Sequence, residues 1–352
     1  MSENMSTKTP EGLSEEQPIV LQMQNIEKRF GGGGSALSEK MGLSRPRPVV
    51  HALDGVNVTI RAGEFVGLVG ESGSGKSTLG RIAAGLMSPT SGDVQVYGKE
   101  PSRENKTHLD VQMIFQDPQA SLNPRKRIDK AIGEAPLVHG LTSRSGLDDY
   151  VSQQLQRVGL DPAIRTRFPH QFSGGQRQRI SIARALSLNP RFLVCDESIA
   201  ALDVSIQAQI LNLFMDLREE LDLTYLFISH DLRAVRHVCD RVLIMYLGRV
   251  VEDAPAKEFF ARPNHPYTKM LLSEVPDLAQ RSKSYSAIKG EIPSPINPPN
   301  GCHFHPRCPL VFDRCRVERP ALKKVGDKHI SACHLNDIPQ SQNPMAQQEL
   351  NA

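Results

Sequence analysis

The strongest constraint on this sequence is a glycine-rich segment that directly follows the short apolar run from Phe65 to Val69. The segment reads Gly70-Glu71-Ser72-Gly73-Ser74-Gly75-Lys76-Ser77 and continues with Thr78. An apolar strand, this glycine spacing and a following helix form the P-loop pattern. Its backbone N–H groups bind phosphate oxygens, its lysine reaches the terminal phosphates and its hydroxyl can bind Mg²⁺. Residues 70–78 are therefore predicted to bind a nucleoside triphosphate, with Lys76 on phosphate and Ser77 on Mg²⁺.

Polar residues also end two other apolar runs. Asp196 and Glu197 follow Phe192 to Cys195, and His230 follows Tyr225 to Ile228 within Ser229-His230-Asp231. Ligands of open α/β sheets bind where strands end. Asp196 is predicted to complete the Mg²⁺ shell, and Glu197 to activate water as a general base. His230 is predicted to lie near the γ-phosphate or the attacking water.

The order of apolar patterns predicts an α/β fold with a parallel sheet. Val56, Val58 and Ile60 alternate with polar residues, as do residues 93–97, so antiparallel strands are expected on either side of the P-loop. The remaining predicted elements are a strand at 19–23, helices at 152–159, 173–188 and 206–221, and a hairpin of 242–245 with 249–251.

Charge and hydropathy exclude several classes of protein. The chain has 42 Lys and Arg against 39 Asp and Glu, so its net charge of +3 gives no field for general nucleic-acid binding. No apolar run is long enough to cross a bilayer, and the N-terminus is polar without a signal-like segment. The expected location is the cytosol or a membrane surface. Six cysteines without a secretory signal argue against a disulfide framework.

Composition also predicts the domain organisation. Residues 1–17 are rich in Ser, Glu, Thr and Gln and are expected to be a disordered arm. The Gly-, Ser- and Pro-rich stretch 31–48 is expected to be a loop insertion, and 18–260 the main domain. Prolines become frequent after residue 260, so a separate module is predicted at 261–340, followed by a disordered tail at 341–352.

A second anion site is predicted at Ser173-Gly174-Gly175-Gln176, which begins a helix. Ser173 and Gln176 have the spacing of a capping box, and the glycines leave backbone N–H groups bare. Phe172 to Gln176 resembles the signature motif of ABC-type ATPases, with Phe where Leu is commonest. Other motifs of that family stand in their usual order around the signature. Before it, Phe30 resembles the adenine-stacking aromatic and Gln116 the Q-loop glutamine; after it, Ala201-Leu202-Asp203 resembles the D-loop and His230 the switch histidine.

The resemblance implies a P-loop NTPase of the ABC type, with a RecA-like core, an antiparallel β subdomain and a helical signature subdomain at about 117–185. It implies that Gln116 contacts Mg²⁺ and the coupling helix of a permease. It also implies that two modules pair head to tail, with ATP between the P-loop of one and Ser173 to Gln176 of the other. Ser198-Ile199-Ala200 departs from the common Pro-Thr-Ser, so the local geometry of the D-loop is less well defined by the resemblance.

Three further segments are similar to the ATPase subunits of bacterial dipeptide and oligopeptide importers: Phe115 to Arg125, His265-Pro266-Tyr267-Thr268 and the cysteine-rich tail. Ser77 to Arg81 resembles the F-type subunit of these importers, which works beside a different D-type ATPase. The implied partners are two membrane permeases, that second ATPase and, indirectly, an extracytoplasmic binding protein, with no nucleic acid. The implied location is the cytoplasmic face of a bacterial inner membrane.

Three other functions are weighed against peptide import. Relatives within the importer family carry nickel, glutathione or other small solutes. A soluble ABC ATPase that acts on nucleic acid or the ribosome usually has two fused modules or a long coiled coil, and the sequence shows neither. A metal-binding module with a merely regulatory ATPase is disfavoured by the full set of motifs.

The last cysteines form a candidate metal site of Cys302, Cys308, Cys315 and Cys333. Four thiolates on a proline-rich tail can fold around a metal, as tetrahedral zinc or as a [4Fe–4S] cluster. The spacing lacks the paired C-x₂-C of zinc ribbons and does not choose between them, whereas the resemblance favours the iron–sulfur cluster. Substitute ligands are His303, His305 and His334, and the isolated Cys195 and Cys239 are expected to fill the core.

Overall fold

The computed structural model describes residues 17–32, 48–101, 107–273 and 290–339. The predicted disordered arm, except for Gln17, most of the predicted loop insertion at 31–48 and the predicted tail at 341–352 lie outside these residues.

Within the described residues the strands are β1 (Ile19–Phe30), β2 (Val50–Arg61), β3 (Phe65–Val69), β4 (Ser91–Val96), β5 (Val111–Ile114), β6 (Phe192–Asp196), β7 (Thr224–Ile228), β8 (Arg241–Tyr246), β9 (Arg249–Pro255), β10 (Lys323–Gly326) and β11 (His329–Ser331). The α-helices are α1 (Lys76–Ala83), α2 (Thr107–Asp110), α3 (Pro118–Ser121), α4 (Ile128–Val138), α5 (Leu147–Arg157), α6 (Gly174–Leu186), α7 (Val204–Leu221), α8 (Leu232–Val238), α9 (Ala256–Ala261), α10 (Pro266–Ser273) and α11 (Asp313–Val317).

The large sheet has the strand order β10-β11-β9-β8-β3-β7-β6-β5. Strands β8, β3, β7, β6 and β5 run parallel, and every residue of β3, β6 and β7 is buried. Continuous burial explains why these strands are apolar in sequence except at Asp196, which ends β6, and Thr224, which begins β7. The predicted parallel sheet is confirmed, and the carboxyl ends of β3, β6 and β7 meet at one edge.

A small antiparallel sheet of order β2-β1-β4 lies over the large one. Its alternate residues, among them Val56 and Val58, share a hydrophobic core with Leu79 and Ile82 of α1 and with Leu68 of β3. The predicted antiparallel strands on either side of the P-loop are therefore confirmed. Because α1 is enclosed between the two sheets, the start of this helix is firmly positioned.

Helices α4, α5 and α6 pack together beside the large sheet. Ile132, Val151 and Ile180 are fully buried in the core that these helices share with it. Gly133 lets α4 and α5 approach closely, since an added Cβ would lie 2.7 Å from Leu147 Cδ1. This group of helices carries the signature segment at the N-terminus of α6.

The end of the described chain is attached to the large sheet, because Ile330 and Ser331 of β11 pair with Asp253 and Glu252 of β9. The carboxylate of Glu252 is fully buried and accepts hydrogen bonds at 2.8 Å from the backbone N–H groups of Asn264 and His265. His329 Nε2 lies 2.8 Å from the same carboxylate. The predicted boundary at residue 260 stays a prediction, and the β10–β11 hairpin beyond it continues the large sheet. Within the described ranges, no helix has the length and apolarity needed to span a membrane.

Candidate nucleotide site

The P-loop connects β3 to α1 and depends on glycine where it enters the helix. Gly75, the N-cap of α1, has a φ of 104°. A Cβ at this position would lie 2.4 Å from the carbonyl oxygen of Ala52 on β2. Only glycine combines this left-handed backbone with so close an approach. The loop therefore curves tightly around the N-terminus of α1, which is the arrangement that binds phosphate.

Lys76 begins α1 and is almost fully buried. Its Nζ donates hydrogen bonds to the carbonyl oxygens of Gly70 at 2.8 Å and Glu71 at 2.9 Å. Burial lowers the pKa of this ammonium group, while the nearby carboxylates of Glu197, Asp196 and Glu71 act in the opposite direction. Lys76 thus brings a positive charge to the end of β3. There the oxygens of a bound phosphate would replace the water that the buried ammonium group has lost.

Ser77 and Asp196 provide the oxygen atoms of a candidate Mg²⁺ site. Ser77 Oγ donates a hydrogen bond of 2.8 Å to Asp196 Oδ1. Burial raises the pKa of Asp196, and the Ser77 hydrogen bond opposes that rise. A hydroxyl and a buried carboxylate beside a phosphate site are a donor set suited to Mg²⁺, which usually takes one or two protein ligands together with phosphates and water. The residues therefore fit the predicted ion.

Glu197 is held between two other predicted site residues. Gln116 Nε2 donates a hydrogen bond of 2.8 Å to Glu197 Oε2, and His230 Nδ1 lies 3.7 Å from Glu197 Oε1. The backbone of Glu197 has a φ of 46°, and its N–H group donates to the carbonyl oxygen of Ile228 at 3.0 Å. A positive φ is not a strand conformation, so β6 ends at Asp196 and the backbone leaves the strand at Glu197. The contact of Gln116 is with Glu197, so its Mg²⁺ contact stays a prediction.

The signature segment has the predicted capping box. Ser173 Oγ accepts from the N–H of Gln176 at 3.3 Å, and Gln176 Oε1 accepts from the N–H of Ser173 at 3.1 Å. Ser173, Gly174 and Gln176 are exposed. Among the described hydrogen bonds, none joins this segment to the P-loop of the same chain. Within one chain, no described hydrogen bond therefore joins the two predicted phosphate-binding segments into one site.

The other family motifs lie at exposed positions. Phe30 at the end of β1 is 39% exposed, and Lys28 Nζ lies 5.3 Å from its ring centroid. Asp203 is exposed and is the N-cap residue of α7, but its side chain accepts no capping hydrogen bond from the N–H groups of the helix. Ser198-Ile199-Ala200, which differs from the Pro-Thr-Ser common in the family, lies just before the D-loop. There the carbonyl of Ile199 accepts a 3.0 Å hydrogen bond from Gln207 Nε2. The roles predicted for Phe30 and Asp203 stay predictions.

Two residues that the sequence reasoning did not select contact the P-loop. Tyr267 Oη accepts a hydrogen bond of 2.9 Å from the N–H of Glu71. Arg307 donates two hydrogen bonds to the Glu71 carboxylate, at 2.7 and 2.8 Å. Tyr267 belongs to the segment His265-Pro266-Tyr267-Thr268, which the sequence analysis used only for its resemblance to peptide-importer ATPases and not as part of the site. Arg307 was not selected, because nothing in its local pattern connects it with a residue 236 positions earlier.

The four C-terminal cysteines, Cys302, Cys308, Cys315 and Cys333, lie near one another, but their thiols are not arranged to bind one metal ion. Burial raises the pKa of Cys308 to about 11 and of Cys333 to about 12, and the charges of the other thiols in the cluster add to the rise. Across the described residues, which include all four cysteines, no three His, Cys, Asp or Glu side chains are placed to hold a metal ion. The arrangement of the thiols therefore does not support the predicted [4Fe–4S] cluster, nor zinc. Cys195 and Cys239 are buried in the core, as predicted.

Two family models match the chain. The model described as "ABC transporter" matches residues 53–200, and the model described as "Oligopeptide/dipeptide transporter, C-terminal region" matches residues 251–315. The first range contains the P-loop, Gln116, the signature and the two acidic residues. The second contains Tyr267, Arg307 and three of the four C-terminal cysteines.

Similar proteins match over most of the chain. Oligopeptide transport ATP-binding protein AppF of Bacillus subtilis (strain 168) is 45% identical over 328 residues, covering 91% of this chain and 98% of that protein. Di/tripeptide transport ATP-binding protein DppF of Pseudomonas aeruginosa (strain UCBPP-PA14) is 48% identical, covering 83% of this chain and 92% of that protein.

Two solved structures share the fold. The first is cbiO1 from Clostridium perfringens, part of the ABC transporter complex cbiONQ, with a TM-score of 0.59 at 28% identity over 70% of this chain and 92% of that one. The second is the ATP-binding cassette MJ0796 in a dimeric post-hydrolysis state bound to ADP and Pi. It has a TM-score of 0.57 at 29% identity over 67% of this chain and 98% of that one.

Proposed function

Because this chain belongs to the ABC transporter ATP-binding proteins of the oligopeptide and dipeptide type, we propose that it drives peptide import through two membrane permeases. It is an ATPase and the ATP-binding subunit of a peptide or dipeptide importer. The observation that supports the roles of its residues is that one edge of the large sheet carries Lys76, Ser77, Asp196 and a Glu197 held by Gln116.

The proposed mechanism uses these side chains in sequence. The P-loop N–H groups and Lys76 bind the β- and γ-phosphates of ATP. Ser77 and Asp196 would hold Mg²⁺, which when bound neutralises phosphate charge. Glu197 accepts a proton from the attacking water, and the Gln116 hydrogen bond at 2.8 Å keeps its carboxylate in position. His230, which is 62% exposed on its side chain, is free to rotate toward the γ-phosphate and report its presence.

ATP is proposed to bind between two ATPase modules. Ser173, Gly174 and Gln176 are exposed, and no described hydrogen bond joins them to their own P-loop. The related MJ0796 is a dimer bound to ADP and Pi. In the proposed arrangement, the signature of one module closes over the P-loop of the other, and Phe30 stacks on adenine. The partner module is proposed to be a second, D-type ATPase, because the Ser77–Arg81 segment of this chain resembles the F-type subunit.

The permease is proposed to bind at a cavity of about 560 Å³ beside Gln116, the Q-loop glutamine. Ile114 and Phe115 line it from the end of β5, and Ser181 and Arg184 line it from α6. Phe115 is 39% exposed and directly precedes Gln116. A short permease helix that presses on this cavity could therefore move Gln116 and, through it, the Glu197 carboxylate. This contact would hold the subunit on the cytoplasmic face of a bacterial inner membrane, with a binding protein on the other side.

A [4Fe–4S] cluster on Cys302, Cys308, Cys315 and Cys333 is the least supported part of the proposal. It rests on the sequence resemblance alone, because the arrangement of the thiols does not support it, and no step of the mechanism uses it. Iron and sulfide analysis of anaerobically purified protein tests it. About four irons and four sulfides per chain would support the cluster, whereas one zinc or no metal would contradict it.

The experiment that tests the transport function is recovery of the native complex. The tagged chain is purified from native membranes in mild detergent, and the proteins recovered with it are identified by mass spectrometry. Two multi-span permeases and a second ATPase are expected. Recovery only with ribosomes or nucleic acid would contradict the proposal and favour the soluble ABC ATPase weighed against it.

The transported solute is tested next with the reconstituted complex. Uptake of a labelled dipeptide or oligopeptide should depend on ATP. Uptake of nickel or glutathione instead would move the subunit to a related importer and leave its ATP chemistry unchanged.

A further inference from the structure

Glu71 is the second residue of the P-loop, and residues beyond position 260 hold it at two points. Its backbone N–H donates to Tyr267 Oη at 2.9 Å, and its carboxylate accepts two hydrogen bonds from Arg307 at 2.7 and 2.8 Å. Its carbonyl oxygen accepts from Lys76 Nζ at 2.9 Å. One residue therefore joins the phosphate-binding lysine to the C-terminal part of the chain.

Arg307 is fixed by aromatic packing as well as by Glu71. Its side chain is only 4% exposed, and Nη1, which donates to Glu71 Oε2, also donates to Tyr246 Oη at 3.3 Å. The nearby Phe304 is buried against Tyr246 and Tyr267, with ring centroids 5.3 Å from each. Paired hydrogen bonds from a buried guanidinium group define both the position and the orientation of a carboxylate. The Glu71 side chain therefore has little freedom to move.

The charge of Glu71 would oppose ATP binding if it were unpaired. Its carboxylate is close enough to Lys76 to act on the pKa of that ammonium group. The same position brings a negative charge near the phosphates, which carry several negative charges themselves. In a partly buried site such repulsion is weakly screened by solvent. The positive charge of Arg307 cancels it, so the P-loop retains the net attraction of Lys76.

We propose that Arg307 is a positioning residue for ATP binding: it neutralises and orients Glu71 and thereby sets the ATP affinity of the P-loop. The inference rests on the proposed ATP site and extends it to a region 236 residues away in sequence. Arg307 lies in the C-terminal region that a second family model matches, so the proposal gives that region a direct effect on ATP affinity. The effect on KM for ATP should exceed the effect on kcat, because Arg307 lies beside the phosphate-binding loop and does not contact Glu197 in the described structure.

The test is a set of charge variants in the full chain, with steady-state ATP hydrolysis measured on the complex with the partner ATPase and thermal unfolding measured on the chain itself. Arg307→Gln leaves the Glu71 charge unpaired and should raise KM for ATP about tenfold, with kcat changed less. Arg307→Lys keeps the charge without the paired geometry and should raise KM less. Glu71→Gln combined with Arg307→Gln removes both charges and should return KM to within about threefold of the unmodified chain.

The control is Arg314→Gln, since Arg314 pairs with Glu318 and Asp337 and not with the P-loop. It should leave KM unchanged. The inference would be overturned by an unchanged KM in Arg307→Gln. It would also be overturned by a double variant as impaired as Arg307→Gln, with both showing the same fall in thermal midpoint, because that result indicates a purely structural role. Absence of ATP hydrolysis in the unmodified complex with the partner ATPase would instead contradict the proposed function. If Arg307→Gln does not fold, Arg307→Lys and the double variant give the same comparison.

Discussion

Replacing Glu197 by glutamine removes a carboxylate and leaves its surroundings almost unchanged. The 2.8 Å hydrogen bond from Gln116 Nε2 ends on a carboxylate oxygen, and the amide oxygen of glutamine can accept it in the same place. The backbone N–H of residue 197 still donates to the carbonyl of Ile228. The strain of the positive φ of 46° is the same for glutamate and glutamine. What is lost is the capacity to take a proton from water.

The expected fall in kcat follows from that loss. General bases contribute typically about 10²- to 10⁴-fold to a rate, so Glu197→Gln should raise the activation barrier by about 3–5 kcal/mol. ATP affinity should not weaken. Glu197 is the carboxylate that most opposes the effect of burial on the pKa of Lys76, so it is close to the phosphate site. Its neutral replacement removes repulsion of phosphate.

The assay compares phosphate release at saturating ATP with equilibrium ATP binding on the same preparation. The matched control is Glu220→Gln on the exposed side of α7, where Glu220 pairs with Arg157 at 3.1 Å. This control should hydrolyse ATP at the unmodified rate. A kcat for Glu197→Gln within tenfold of the unmodified chain would refute the general-base role. A large loss of ATP binding would show that Glu197 acts mainly in binding.

Two further substitutions test the phosphate site and the C-terminal attachment. Lys76→Ala should weaken ATP binding at least about tenfold, because it removes the buried positive charge of the P-loop, and direct binding of labelled ATP measures this. His265 has a pKa lowered by burial from 6.5 to about 4, so the unfolded chain takes up its proton first, and stability should fall between about pH 6.5 and 4. The loss from this group alone would reach about 3 kcal/mol at pH 4. In His265→Asn, which can still accept from the N–H of Tyr267, that part of the pH dependence of thermal unfolding should disappear. An unchanged slope would exclude His265 as its source.

The parts of the site that were predictable are those in which local sequence determines local geometry. The apolar strands β3, β6 and β7 are recognisable because parallel strands are buried on both faces. Their carboxyl ends meet at one edge in any sheet of this kind, so the proximity of Lys76 and Asp196 followed from the strand pattern alone. The capping box of Ser173 and Gln176 was predictable for the same reason, since it spans only four residues.

The parts that were missed depend on contacts between distant segments. Arg307 lies in a short 3₁₀ turn among prolines, and its partner Glu71 follows β3. The pairing of β11 with β9 was also missed, because β11 has only three residues and no clear alternation. Contacts of this kind are set by how the folded chain comes together. Neither periodicity nor spacing contains that information.

The exposed position of the signature supports the proposal that each nucleotide site is shared between two modules. The first helical hydrogen bond of α6 runs from the N–H of Arg177 to the carbonyl of Ser173, and Ser173 Oγ takes the N–H of Gln176. The N–H groups of Gly174 and Gly175 precede these bonds and have no helical acceptor. Gly175 must stay small, since a Cβ there would lie 2.7 Å from Ile206 Cγ2 on α7. Because Ser173 and Gly174 are exposed, an anion brought by another module can reach these N–H groups. The packing of α6 on α7 therefore keeps the signature rigid, and the proposed partner ATPase would supply the phosphate that it binds.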